Sequence, residues 1–137
     1  MSNANIKSLL SQLSKLKIDM FAKDFLLTWE KSDAEINATV LTSEILKAMH
    51  AANISTKVFD SGLGISVFKD NSTRTRFSFA SAINMLGLSL MDLDEGKSQI
   101  AHGETVRETA NMISFLSEVI GIRHDMYIGE GNKYQRE

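Results

Sequence analysis

Neither cysteine nor proline occurs in the 137 residues. The first absence excludes thiol nucleophiles, disulfide scaffolds and cysteine-based zinc sites, and it is compatible with a reducing compartment. The second is unusual, because ordinary usage of about 5% predicts roughly seven prolines, and it fits a chain rich in regular elements. Excess charge is scarce too. The 15 basic and 17 acidic side chains leave a formal net charge of −2, too weak a field to draw the protein onto nucleic acid or anionic lipid. Any anion site must then be local. No run approaches the ~18 consecutive apolar residues of a membrane-spanning helix, and the N-terminus lacks the apolar core and cleavage site of a secretory signal, so the expected location is the cytoplasm. What is present is ordinary globular material, 43% apolar and 23% charged, in a length that suits one domain over 1–137 whose core needs neither metal nor disulfide.

Residues 5 to 20 carry Ile6, Leu9, Leu10, Leu13 and Leu16 at three- and four-residue spacings, which predicts an amphipathic helix. Its apolar face lacks aromatic anchors, so packing on the domain is expected rather than membrane association. After the apolar stretch Phe25 to Trp29, Ser32 followed by Glu35 has capping-box spacing and opens a second helix to about Ala52, with Ile36, Val40, Ile45 and Met49 as its core stripe. From Leu63 the texture changes. A run of β-branched and aromatic residues predicts a buried strand over 63–68, followed by a helix over 73–86 whose Phe79, Ala80, Ile83 and Leu86 face the sheet and which Gly87 ends. A strand near 88–93, a polar loop over 94–103, a helix near 104–119 and a strand around 121–127 complete the pattern. The last helix is expected to pack through Val106, Ala110, Ile113, Leu116 and Ile120. Strand and helix alternating in this way predict an α/β architecture with parallel strands and right-handed crossovers. Ligands in such sheets collect at the carboxyl ends of the strands, so the loops at 69–73 and 93–104 and the region after 122 should share one edge.

The first of these loops holds unusual chemistry. Ser72, Thr73, Arg74, Thr75 and Arg76 stand where a strand hands over to a helix. First-turn amides lack intrahelical partners and lie at the positive end of the helix dipole, the hydroxyls add donors, and an arginine fork matches phosphate oxygens two at a time. The plainer alternative is a Ser or Thr helix cap beside two solvated arginines.

The segment Phe68 to Arg76 resembles the phosphate signature Ser-x-Arg-Thr-Arg of the aspartate/ornithine carbamoyltransferase family. Three further matches follow in order. Ser98, Gln99, Ile100, Ala101 and His102, then Gly103, Glu104 and Thr105, are similar to the family's mobile loop, which reaches into a neighbouring subunit. Glu108, Thr109 and Ala110 continue that likeness, and Arg123 followed by His124 stands where the family places an arginine on the carbonyl oxygen of carbamoyl phosphate. The resemblance implies a three-layer αβα sandwich with a mostly parallel sheet of about four strands, forming half of a two-domain carbamoyltransferase. It implies direct displacement without cofactor or metal: an amine attacks carbamoyl phosphate and phosphate leaves. Ser72, Thr73, Arg74 and Thr75 would hold the phosphate, with Arg74 near the bridging oxygen, while Thr75 and Arg123 address the carbonyl. Arg76 and Glu104 would support them, Glu104 by orienting a guanidinium, and Ser98, Gln99 and His102 would complete a neighbour's site in a homotrimer.

His102 and the residues before it are similar to the ornithine-using branch, whereas Arg123 followed by His124 resembles the aspartate-using branch, so no acceptor is assigned; the overall pattern looks nearest to the uncharacterised carbamoyltransferases. The family's His-Pro motif and its amino-acid-binding domain have no counterpart in these residues. The chain is therefore expected to be the donor-binding part of a longer enzyme and inactive in transfer by itself. The rival expectation is a stand-alone anion-binding or protein-interaction module. Nucleotide loops are set aside because Met91 and Val67 occupy positions that need glycine, and His50, His102 and His124 lack metal-ligand spacing.

Overall fold

A computed structural model describes residues 3–69, 72–94, 103, 105–124 and 129. They form two compact units, Met1–Thr56 and Lys57–Glu137, within the span read as one domain.

The first unit is a pair of helices, α1 (Asn3–Leu13) and α2 (Asp33–Ala51). Helix α1 is shorter than its periodicity predicts. Ser14 turns its hydroxyl onto the carbonyl of Ser11, and such side-chain bonds compete with continuation of a helix. Helix α2 starts as expected: the Glu35 carboxylate accepts from the Ser32 amide and hydroxyl, both at 2.8 Å, and the Glu35 amide returns a bond to the hydroxyl. It stops at a Schellman turn, with the Ile54 amide donating to the Met49 carbonyl and Asn53 in the left-handed region at φ 56°. Its core stripe differs from the predicted one. Ala38, Leu41, Ile45 and Ala48 are buried, while Val40 is 55% exposed. Ala48 lets α1 come close, and with Ile6 and Ile45 it forms the centre, flanked by Leu9, Leu13, Met49 and Ala52.

The second unit is α/β, as expected. Strands β1 (Leu63–Phe68), β2 (Ser89–Asp92) and β3 (Val119–Arg123) are all parallel in the order β2-β1-β3, three strands among the described residues. Helix α3 (Thr73–Leu86) joins β1 to β2, and α4 (Val106–Leu116) joins β2 to β3. The two crossovers run in opposite directions across the sheet, so right-handedness places the helices on opposite faces. Helix α3 lies on the sheet through Phe79, Ala80, Ile83 and Leu86, of which Ile83 is only 2% exposed. Gly121 of β3 makes this seat possible, because a Cβ there would fall 2.5 Å from the Phe79 ring. Gly87 ends α3 at φ 98°, with the Leu88 amide returning to the Ile83 carbonyl.

Helix α4 corrects the sequence reading. Val106 and Leu116 are 69% and 63% exposed, Ala110 is exposed, and the helix rests on a narrow line through buried Thr109 and half-buried Ile113. Ile120, assigned to its apolar face, belongs to β3 and pairs with Ile65, since the chain leaves the helix at Ser117 and the β-branched pair Val119 and Ile120 enters the sheet.

Helices α2 and α4 both open with capping boxes, the second formed by Thr105 and Glu108. The backbone amides of Ser32 and Thr105, and then their hydroxyls, hold the carboxyls of Glu35 and Glu108 below the usual glutamate range. A carboxylate whose pKa is lowered by folding stabilises the fold fully above its unfolded value, near 4.5, and that contribution disappears as pH falls through the folded value. The stability gap between the wild-type chain and Glu108→Ala, measured by urea unfolding, is accordingly expected to hold from neutral pH down to the ordinary glutamate value near 4.5 and to narrow as pH falls further. A gap independent of pH would count against the box.

Candidate functional site

Helix α3 begins differently from its neighbours. Ser72 has the extended N-cap backbone (φ −85°, ψ 96°) and its carbonyl accepts the Arg76 amide at 3.1 Å, yet its side chain makes no cap bond. No described residue accepts from the amides of Thr73, Arg74 or Thr75. The hydroxyl is engaged elsewhere. Ser72 Oγ lies 2.9 Å from Thr75 Oγ1, and Arg123 Nη1 donates to both, at 2.8 Å to Ser72.

Arg123 arrives there through the sheet. It is the last residue of β3, its register partner is Phe68 at the end of β1, and its carbonyl accepts the Lys69 amide at 3.1 Å. The chain leaves β1 towards β2 on one side, while β3 returns on the other, so the carboxyl ends of β1 and β3 flank the point where the winding reverses. Open parallel sheets leave a crevice for ligands at that point. Open amides, two hydroxyls and a guanidinium therefore converge at one spot, which brings together Ser72, Thr75 and Arg123.

Arg76 is spent on the protein. Its Nη1 pairs with Asp92 Oδ2 at 2.7 Å, and its Nη2 donates to the Phe68 carbonyl. The second oxygen of Asp92 accepts the Ser66 hydroxyl. A carboxylate was expected beside the arginine cluster, and among the described residues Asp92 fills that place. Glu104, the residue chosen for it, lies outside the described residues, as do Ser98, Gln99 and His102. Sequence reasoning missed Asp92 and Ser66; the available signal was an acid at the carboxyl end of a strand, on the ligand edge. Beside this pair is a cavity of about 420 Å³ lined by Val67, Phe68, Lys69, Arg76, Asp92, Leu93 and Asp94. Thr73 and Arg74 are exposed on the first turn. With the start of α3, its hydroxyls and the Arg123 guanidinium acting as donors, the arrangement suits a compact dianion whose charge is shared among several oxygens.

The family model for the aspartate/ornithine carbamoyltransferase carbamoyl-P binding domain matches residues 23–136. The Escherichia coli K12 protein named "Putative carbamoyltransferase YgeW" is 63% identical over 132 residues, which is 96% of this chain and 33% of that protein. An ornithine carbamoyltransferase of Acinetobacter baumannii ATCC 17978 is 31% identical over 78% of this chain and 36% of its own length. Among solved structures, aspartate transcarbamoylase from Trypanosoma cruzi in complex with carbamoyl phosphate superposes with a TM-score of 0.67 at 25% identity, covering 82% of this chain and 34% of that one. The catalytic subunit of M. jannaschii aspartate transcarbamoylase gives 0.64 at 26% identity, over 73% and 34% of the two chains. The chain thus spans about a third of the length of the relatives it matches.

Proposed function

Since the chain belongs to the aspartate/ornithine carbamoyltransferase family and comprises its carbamoyl-phosphate-binding domain, we propose that it supplies the donor site of an enzyme that carbamoylates an amine of an amino-acid-like acceptor and releases phosphate. The amine lone pair attacks the carbonyl carbon, a tetrahedral intermediate forms, the bond from carbon to the phosphate oxygen breaks with its electrons on phosphate, and the nitrogen loses a proton. Negative charge grows on the carbonyl oxygen and on the leaving phosphate, so donors fixed at both positions lower the barrier. In this reading Ser72, Thr73, Arg74 and Thr75 hold the phosphate, Arg74 also serves the bridging oxygen, and Thr75 and Arg123 address the carbonyl. Arg76 supports the cluster. Ser98, Gln99 and His102 would complete a neighbour's site in a trimer of the full-length enzyme. The acceptor would be held by a second domain of the kind the longer relatives have room for. The observation that carries the proposal is the meeting of Arg123, from the end of β3, with Ser72 and Thr75 at the uncapped start of α3.

Calorimetric titration of the chain with carbamoyl phosphate, inorganic phosphate and sulfate tests it. Carbamoyl phosphate is expected to bind, and Arg74→Ala to weaken it by about 1.5–3 kcal/mol, roughly 10- to 150-fold, through loss of a charge-assisted contact. Unchanged affinity in Arg74→Ala would remove the residue from the site. Equal affinity for all three anions would favour a simple anion-binding module over the donor half of a transferase.

A further inference from the structure

The first turn of α3 presents a mechanical problem. In α2 and α4 a Ser or Thr hydroxyl takes the third amide of the helix and a Glu carboxylate takes the cap amide, which fixes the turn. The same device at α3 would consume donors that the anion needs. A first turn without a cap frays readily, because its amides have no intrahelical partner.

Arg76 stands where that turn closes, its own amide bonded to the Ser72 carbonyl. Its guanidinium spans the ends of two strands, with Nη2 on the Phe68 carbonyl of β1 and Nη1 on Asp92 of β2. Asp92 is fixed in turn by Ser66, which is 3% exposed, is its register partner across the sheet, and accepts the Leu93 amide on its carbonyl at 2.8 Å. A continuous path therefore runs from the buried middle of β1 through Ser66, Asp92 and Arg76 to the turn. Asp92 also sets a negative charge beside the Arg76 guanidinium.

We propose that Asp92 is a positioning residue for the anion cradle: acting through Arg76, it replaces the missing N-cap and holds the first turn of α3 formed while the amides of Thr73, Arg74 and Thr75 stay open. Asp92 touches no substrate in this scheme. The ligand part of the proposal rests on the reading of this turn as the phosphate site; the mechanical part does not.

Two measurements on the full 137-residue chain test it, namely amide hydrogen exchange without ligand at residue 76, whose amide closes the turn on the Ser72 carbonyl, and calorimetric affinity for inorganic phosphate. Asp92→Ala is expected to speed exchange at the Arg76 amide and to weaken phosphate binding by about five- to tenfold, the size of a lost cap. Asp92→Asn can still accept from Arg76 with its carbonyl oxygen and donate to the Ser66 hydroxyl, so it should stay within about threefold of wild type in both. The double variant Arg76→Ala/Asp92→Ala should match Arg76→Ala alone, because neighbours acting through one route are not additive. Leu88→Val, a core truncation just past the far end of α3, controls for general destabilisation and should leave exchange at residue 76 unchanged relative to the rest of the helix. Exchange in Asp92→Ala equal to wild type overturns the proposal, as does a double variant weaker than Arg76→Ala. If wild type binds no phosphate but exchange at residue 76 still rises in Asp92→Ala, the phosphate reading fails and the positioning role stands.

Discussion

Arg123→Ala is expected to cost the chain at least roughly a hundredfold in affinity for carbamoyl phosphate while leaving its stability within about 1 kcal/mol of wild type. The loss follows from removing the guanidinium that bridges Ser72 and Thr75 from the opposite strand end. Near-neutral stability has a separate cause. With Arg123 truncated, the Ser72 hydroxyl is released to accept the Thr75 amide, as Ser32 and Thr105 do in α2 and α4, and a Ser N-cap contributes about 0.5–2 kcal/mol. That gain works against the loss of the exposed hydrogen bonds to Ser72 and Thr75. Calorimetry and urea unfolding on the same variant check both halves. Retained binding would place the anion elsewhere; a drop of several kcal/mol would mean that Arg123 is structural first.

Gly121→Val is expected to be strongly destabilising, costing about 3 kcal/mol by overpacking. A Cβ at 121 would lie 2.5 Å from Phe79 Cε2 and 2.8 Å from Cζ. The ring has little room to yield, because it already packs edge-on to Phe68 at 5.3 Å between centroids and 74° between planes. Either β3 moves off α3 or the helix lifts, and Arg123 is only two residues along the strand. Phosphate binding should therefore fall together with the unfolding midpoint. Shortening the ring in Gly121→Ala/Phe79→Leu should recover part of both relative to Gly121→Ala. A valine variant with wild-type unfolding behaviour would show that the close approach of ring and strand is not a constraint.

The α/β unit was legible in the sequence where local chemistry decides the outcome. Helix α3 matches its predicted limits residue for residue, because Ser72 precedes it and Gly87 takes a left-handed conformation at its end. The proposed anion cradle was readable for the same reason, Ser72, Thr73, Arg74 and Thr75 being consecutive. The missed parts depend on tertiary arrangement. Asp92 acquires its role from the parallel register that sets it beside Ser66, a pairing across 26 residues that no local pattern announces. In α2 the buried line shifts onto Ala38 and Ala48, because close helix packing selects small side chains over large apolar ones such as Val40. In α4 periodicity alone could not tell which residues of a broad apolar stripe would find a surface to cover.

Ser72 and Arg123 are 51 residues apart, and only the paired strands bring them together. An unfolded chain, or a peptide holding one of the two, has no such cradle, so an occupant recognises the native state alone. Occupancy then acts as a thermodynamic restoring force: an anion at 100 times its dissociation constant deepens the native well by about 2.7 kcal/mol. On the proposed function, donor supply would in this way govern how long the polypeptide survives proteases.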